Sequence, residues 1–373
     1  MESSDVSAAV MEPSSEGLTE QNQGYDFKLL KDKEIPQEFI WPSGDLVKGV
    51  EGEDLNAPII DLKAIKNDDA AMASAAELVR KACMKHGLFE VTNHGVDPTL
   101  IDAAHKEFDS IFNLSMTKKL SAGTNNNVWG YSCAHAERFS SSLPWKETFS
   151  FPYYHLHQNQ SQVVHFFQST LGEEFHHTGV VYQKYCDAMK EMTVDVLELL
   201  AVSLGADRSY FQNFFEDAET IMRCNSYPPC KDVGLTFGIG PHCDPVSITI
   251  LHQDQIGGLE VCVDGKWLAV LPRPHTFMIN IGDTFTALSN GLYKSCLHRV
   301  WCNQEVVRRS LSFFLCPKGD RAVKPPENLL GNEEERNFPD FTWLDLYEFT
   351  QKHYRVDGAT LQGFVSWLRA SKP

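Results

Sequence analysis

Three side chains of the kind that hold metals stand out: His242 and Asp244, separated by Cys243, and His298 further along. In an extended chain residues two apart point to the same face, so His242 and Asp244 can converge on one point while Cys243 turns away. Two imidazoles and a carboxylate on one side of a cation leave its other positions open, which suits the oxygen chemistry of non-haem Fe(II). A His-x-Asp pair is common, and the same three groups would serve a zinc hydrolase or a cupin-like binding protein that oxidises nothing. Arg308 and Ser310 separate these readings. They are again two apart, at the start of an apolar run, so a guanidinium and a hydroxyl point the same way. A buried guanidinium calls for an anion and meets a carboxylate in a planar, bidentate pair. Arg309, of opposite parity, reads as an exposed charge on a strand.

These residues fall after Thr220, where short β-type runs broken by turns replace helical periodicity. Such runs occupy 246–251, 259–263, 267–270, 277–280, 298–301 and 310–315, with Asp264-Gly265 as a hairpin signal between the second and third. So many strands in roughly 100 residues predict a sandwich or barrel, not a parallel dinucleotide-binding sheet. Upstream, Pro58–Leu62 and Leu88–Thr92 read as strands, and 70–83, 99–113 and 179–204 as helices. In the last of these, Tyr182, Tyr185, Met189, Met192, Val196 and Leu199 recur at three- and four-residue steps, with Gly205 as the stop. Ile35–Pro42 reads as an extended strap between prolines. The expected organisation is an acidic disordered tail (1–25), an N-terminal region of strap, helices and short strands (26–165), and a long helix with connector (166–216). A β-rich catalytic core (217–320) and a helical C-terminal segment (321–373) complete it.

Composition narrows the function. The chain has 373 residues, 42% of them hydrophobic, enough for a substantial core. Fifty Asp and Glu against 33 Lys and Arg give a net charge of −17, which repels nucleic acid and anionic membranes. The ten cysteines lie singly, without a CxxC pair, no apolar run of membrane-spanning length occurs, and residues 1–24, with neither a basic nor an apolar stretch, are not expected to act as a leader. The expectation is a soluble monomer acting on a small molecule in the cytoplasm, with entry to the nucleus left open. His155-x-His157 and His176-His177 have metal-like spacing but no carboxylate in register, and read as surface-loop histidines. Gly238-x-Gly240 precedes a proline and a strand, unlike a phosphate loop. Cys243 and Cys296 read as small buried groups, and Phe166-Phe167 and Tyr210–Phe215 as core.

The ordered combination of Asn225-x-Tyr227-Pro228-Pro229-Cys230, His242-x-Asp244, His298 and Arg308-x-Ser310 resembles the plant 2-oxoglutarate- and Fe(II)-dependent dioxygenases, over about residues 57–370. Leu143–Thr148, Gly240–Gln255, Ile281–Phe285, Lys294–Arg299 and Phe349–Arg355 are similar to the gibberellin 20-oxidase group. The resemblance implies an α+β fold with a double-stranded β-helix (jelly-roll) core flanked by helices. It further implies iron on His242, Asp244 and His298, with O2 as co-substrate and ascorbate supporting activity. The 2-oxoglutarate keto-carboxylate would meet the iron; Arg308 and Ser310 would take its distal carboxylate, completed by Tyr227 and Asn225. Arg308 is thus the residue on which catalysis depends. The implied reaction is successive oxidation at C-20 of a gibberellin precursor, a diterpenoid acid, ending in loss of that carbon. Such a substrate needs an apolar pocket and a cation, for which Lys146 and Arg138 are candidates, with Trp145 as wall or core. A related dioxygenase acting on another gibberellin position or on a flavonoid is the alternative. Phe237, Ile239 and Val300-Trp301-Cys302 depart from the group's pattern; strand parity turns Trp301 away from His298.

Overall fold

In the computed structural model the described residues are 24–31, 33–47, 53–123, 129–136, 142–154, 161–330, 336–353 and 358–371. The strands form where β-branched and aromatic residues alternate. In chain order they are β1 (Ile59–Asp61), β2 (Leu88–Thr92), β3 (Gly130–Cys133), β4 (Glu147–Tyr154), β5 (Glu219–Tyr227), β6 (Ile239–His242) and β7 (Ile248–Gln253). There follow β8 (Leu259–Val263), β9 (Lys266–Ala269), β10 (Phe277–Ile281), β11 (His298–Val300), β12 (Arg308–Cys316), β13 (Ala322–Val323) and β14 (Phe341–Thr342).

Eight strands make one sheet, ordered β1-β2-β10-β7-β12-β5-β4-β3; four make a second, β6-β11-β8-β9; β13 and β14 pair as a short ribbon. Only the β1–β2 pairing among these is parallel. The hairpin between β8 and β9 turns on Asp264 and Gly265, both with positive φ (50° and 80°), the conformation that Asp-Gly favours. The larger sheet is not confined to the β-rich block: β1 to β4 come from upstream, and β2 pairs directly with β10. The strands β3 and β4 were not expected from the sequence. β4 carries Pro152, a residue rare inside sheets, but β3 ends its pairing at Ser150, so β4 is an edge where Pro152 stands.

Helices cover this sheet. α1 (Asp69–Lys85) starts at Asp68, whose carboxylate accepts the amides of Ala70 and Ala71, and it buries Met72, Ala75, Ala76, Val79 and Cys83. α2 (Pro98–Phe112) starts at Asp97, capped through Thr99, with proline in its first turn. α3 (Gln162–Leu171) and α4 (His176–Ser203) follow. All six apolar positions expected on the face of α4 are buried, and Gly205 (φ 69°) ends it. Tyr182 of α4 stacks on Phe167 of α3 at 5.4 Å and donates to the Ala104 carbonyl of α2 at 3.0 Å. His176 and His177 are exposed, as expected, but they open α4 and do not lie in a loop. His155 and His157 lie outside the described residues. The strap at 35–42 folds one short turn at Gln37–Phe39, burying Phe39, and its Trp41 amide donates to the Leu235 carbonyl at 3.0 Å. α5 (Trp343–His353) and α6 (Thr360–Ser371) close the chain. All ten cysteines are unbridged. Among the described residues no helix is long and apolar enough to cross a membrane.

Candidate active site

The metal-type residues meet because β6 and β11 are antiparallel neighbours with His298 placed opposite His242. Their rings lie 4.1 Å apart between centroids. Each Nδ1 is tied to a main-chain carbonyl two residues back, His242 to Gly240 at 3.0 Å and His298 to Cys296 at 2.9 Å. Those contacts fix the tautomer in which Nε2 carries the lone pair. Gly240 is required, because the Trp41 indole lies 2.1 Å from where a Cβ would stand. Just past β6, Asp244 accepts a hydrogen bond from Thr249 at 2.6 Å through Oδ2, while Oδ1 lies 3.6 Å from His242 Nε2. One donor atom from each of the three falls within 4.8 Å of the others, the one such cluster among the described residues.

Electrostatics prepare these groups as ligands. Burial, and then the neighbouring His298, push His242 down to about 3, so its ring is neutral. Burial alone would raise Asp244, but His298, His242 and the Thr249 hydroxyl outweigh it and hold the carboxyl below its ordinary range. A neutral imidazole and an ionised carboxylate are the forms that bind a divalent cation.

A second constellation stands where β12 pairs with β5. Arg308 lies opposite Tyr227 and Ser310 opposite Asn225. Arg308 is 1% exposed, with its charge over the Tyr227 ring at 4.9 Å. Its Nε donates to the Gly257 carbonyl at 2.6 Å and one terminal nitrogen to Gln253 Oε1 at 2.8 Å, while Nη1 has no hydrogen-bond partner. A buried guanidinium with an unmet donor is a site made for an anion. Asn225 Nδ2 donates to Ser310 and to Ser312, each at 3.3 Å.

A cavity of about 770 Å³ joins the two constellations, and Arg308, Ser310, Asn225 and Tyr227 line it together with the three metal-type residues. Of the substrate candidates, Lys146 also lines it, although only 2% exposed. Trp145 does not. It is 1% exposed, packs edge-on against Phe27 at 4.7 Å and Phe39 at 5.0 Å, and donates from its indole to the Pro229 carbonyl at 3.3 Å. Adjacent residues face opposite ways, so Trp145 is core and not wall. Arg138 lies outside the described residues. Trp301 is turned from His298 as parity requires; with Phe237 and Trp267 it surrounds the Arg299 guanidinium, which is paired with Glu260.

Sequence reading missed Thr249, the Gln253 and Gly257 supports of Arg308, and Arg223, which also lines the cavity. The signal for Arg223 was alternation: Arg223-x-Asn225-x-Tyr227 puts three polar groups on one face of a strand. It missed as well that α5 supplies a wall, through Trp343 and Tyr347.

Residues 218–317 match the 2OG-Fe(II) oxygenase superfamily, and 57–169 match the N-terminal region described as non-haem dioxygenase in morphine synthesis. Gibberellin 20 oxidase 2 of Oryza sativa subsp. indica is 49% identical over 342 residues, 91% of this chain and 87% of that one. Gibberellin 20 oxidase 3 of Arabidopsis thaliana is 47% identical over 373 residues, 97% of each chain. The chain belongs to the gibberellin 20-oxidase family. Its members are 2OG-Fe(II) oxygenases, and the protein is an enzyme of that kind. The oxygenase also shares its fold with a solved structure described as JOX2 in complex with 2OG, Fe and JA, at 28% identity and a TM-score of 0.79, covering 91% of this chain and 97% of that one. The rice dioxygenase for auxin oxidation matches at 27% identity and a TM-score of 0.68, covering 82% and 99%. The family's iron and 2-oxoglutarate fit the residues present: two Nε2 atoms and one carboxylate oxygen for the metal, and the unmet Arg308 nitrogen for a carboxylate.

Proposed function

We propose that this oxygenase oxidises gibberellin precursors at C-20, in successive steps that end with loss of that carbon. Two observations support the reading together: the 47–49% identity to gibberellin 20 oxidases along nearly the whole chain, and one cavity shared by the metal-type triad and the unmet Arg308 donor. The larger and smaller sheets would be the two halves of a jelly roll, with 217–320 as its core.

His242, Asp244 and His298 would hold Fe(II), which when bound supplies the coupling of 2-oxoglutarate decarboxylation to oxidation of a C–H bond by O2. The chain's own part is to bind, orient and exclude water. Arg308 and Ser310 take the distal carboxylate, and Gln253 and Gly257 hold the guanidinium so that no freedom is lost when the anion arrives. Tyr227 packs on the Arg308 cation, and Asn225 orients Ser310. Thr249 fixes which Asp244 oxygen faces the metal. Trp343 and Tyr347 wall off the apolar side, where a diterpenoid skeleton displaces water. The enzyme would act in the cytoplasm as a monomer, with ascorbate keeping the metal reduced; the acidic composition, which repels nucleic acid and anionic membranes, supports a small-molecule substrate.

The test adds Fe(II) and 2-oxoglutarate anaerobically, follows the visible charge-transfer band, then admits O2 with a C-20 methyl gibberellin precursor and reads succinate and product by mass spectrometry. Coupled succinate and C-20 products are expected. A band without coupling discards the substrate; no band in folded, iron-treated protein discards the cofactor assignment.

A further inference from the structure

We infer that Trp41 contacts the substrate and also positions the metal ligand His242: one edge of its indole walls the cavity, and another props β6. The substrate half of this rests on the reading above.

Trp41 belongs to the strap, upstream of both regions that match the oxygenase family. Its place there is fixed from two sides. The amide donates to the Leu235 carbonyl, and the indole packs edge-on against Phe237 at 5.1 Å. The far ring of the indole then bears on Gly240: Cη2, Cζ2 and Cζ3 lie 2.1, 2.6 and 2.9 Å from where a Cβ at that residue would stand. Gly240 is the residue whose carbonyl accepts from His242 Nδ1. A support behind that carbonyl holds the orientation of the imidazole, as a ligand's outer partners do. The same stretch of chain reaches the second metal-bearing strand, β11: the Val47 carbonyl accepts from Arg299, next to His298, at 2.6 Å.

Position in the cavity supplies the other half. Trp41 lines the cavity of about 770 Å³ together with Ile239, His242 and Val300. It also lines a smaller one of about 220 Å³, with Gly44, Val47, Trp267 and Leu297. The indole is thus a partition between two spaces, unlike Trp145, which lines neither. A broad, rigid aromatic face suits a fused hydrocarbon skeleton, which it covers at little cost in freedom. Its nitrogen adds direction. Nε1 is buried and has no hydrogen-bond partner among the described residues, and an indole nitrogen only donates. A diterpenoid acid carries oxygen acceptors, and one of these would satisfy a donor whose burial otherwise costs the free protein stability. A skeleton resting on Trp41 presses on the same ring that supports Gly240, so filling of the cavity and orientation of His242 are linked.

The experiment uses Trp41→Phe, Gly240→Ala and the two combined. Calorimetry on the anaerobic oxygenase loaded with Fe(II) and 2-oxoglutarate measures affinity for a C-20 methyl gibberellin precursor. Titration of the apoprotein with Co(II), followed by its visible spectrum, measures the metal site, and thermal midpoints are read throughout. Trp41→Phe removes the N–H and shortens the ring; it should weaken precursor binding about 10-fold or more and leave 2-oxoglutarate affinity within about twofold. Gly240→Ala drives a methyl group into the indole and should lower Co(II) affinity about 10- to 100-fold. In the double variant the shorter ring leaves room for that methyl, so Co(II) affinity should return to within about threefold of Trp41→Phe while precursor binding stays weak. Wild-type precursor affinity in Trp41→Phe would overturn the substrate contact, with the C-20 reading intact. A double variant as poor in Co(II) as Gly240→Ala would overturn the positioning role. If the wild type does not bind the precursor, the C-20 reading fails and the substrate contact with it, while the Co(II) arm still decides the positioning. Should Trp41→Phe not fold, Trp41→Leu carries the same comparisons.

Discussion

His242 and His298 are direct cross-strand partners, with their rings 4.1 Å apart and both Nδ1 atoms committed to carbonyls. Two imidazoles so close can both serve only if a cation stands between their Nε2 atoms and Asp244. Anaerobic Fe(II) or Co(II) at 100 times its dissociation constant should therefore stabilise the fold by about 2.7 kcal/mol, a rise on the order of 5 °C in a thermal scan. His298→Ala and His242→Ala should each abolish the rise. A shift that survives in either variant would place the metal elsewhere.

Thr249 lines the cavity beside the metal-type cluster, and its hydroxyl holds Asp244 Oδ2 at 2.6 Å. Thr249→Val preserves shape and removes that bond. Metal affinity should fall about 10- to 100-fold, the usual result of losing a ligand's supporting partner. Titration of apoprotein with Co(II), followed by its visible spectrum, measures this directly; an unchanged affinity would mean that Asp244 is oriented by its backbone alone.

For Arg308 the informative change is to lysine. The charge stays, but the fork and its two supports, Gly257 and Gln253, are lost. KM for 2-oxoglutarate should rise by about 10- to 100-fold, with a smaller effect on the organic substrate. Equal effects on both co-substrates would contradict the separation of the two ends of the cavity.

Away from the site, His105 Nε2 and His252 Nδ1 share a hydrogen bond of 2.8 Å beneath α2, with His94 and His275 nearby. Burial first, and then like charge (Arg309 on His105, and His105 on His252), holds these rings down to about 4 and about 3, against an ordinary 6.5; Asp102 and Asp109 oppose this only in part. Because the folded values are depressed, the unfolded chain takes up protons first as acid is added. Their contribution is fully present above pH 6.5 and is lost as pH falls from there toward 4 and 3, at up to about 1.4 kcal/mol per pH unit for each ring. Chemical denaturation between pH 7.5 and 5 should show that slope, and replacing both histidines with glutamine should flatten it.

Trp145→Ala should cost about 3–5 kcal/mol, the price of emptying a packed aromatic site. Its thermal midpoint should drop while KM for the substrate in the surviving folded enzyme stays near wild type. A selective KM effect at unchanged stability would return Trp145 to the cavity wall.

The His242-x-Asp244 and Arg308-x-Ser310 pairs were legible because each rests on a local two-residue spacing, and His298 because it stands in a short β-type run of its own. The hairpin at Asp264-Gly265 and the buried face of α4 were readable for the same reason. What stayed hidden depends on contacts between distant segments. β4 was obscured by Pro152, which is harmless only because β3 ends before it. Trp145 and Lys146 are neighbours with opposite surroundings, and nothing local says which of them faces the cavity. Thr249 acquires its role from Asp244, and α5 becomes a wall only when the C-terminal segment packs against the cavity.

The pairing of β2 with β10 joins Leu88–Val91 to Phe277–Asn280, residues nearly half the chain apart. A ribosome must make the chain through Ile281 of 373 residues before that ladder can zip, so β2 waits with one hydrogen-bonding edge bare while the rest emerges. Closing so large a loop is slow, and exposed edges in the interim invite pairing with other chains. A fragment starting at residue 218 would inherit the same problem permanently, with β10 and β5 each stripped of a neighbour. The catalytic strands are thus inseparable in practice from the upstream ones, and yield on expression should depend on truncations far from any residue that touches iron.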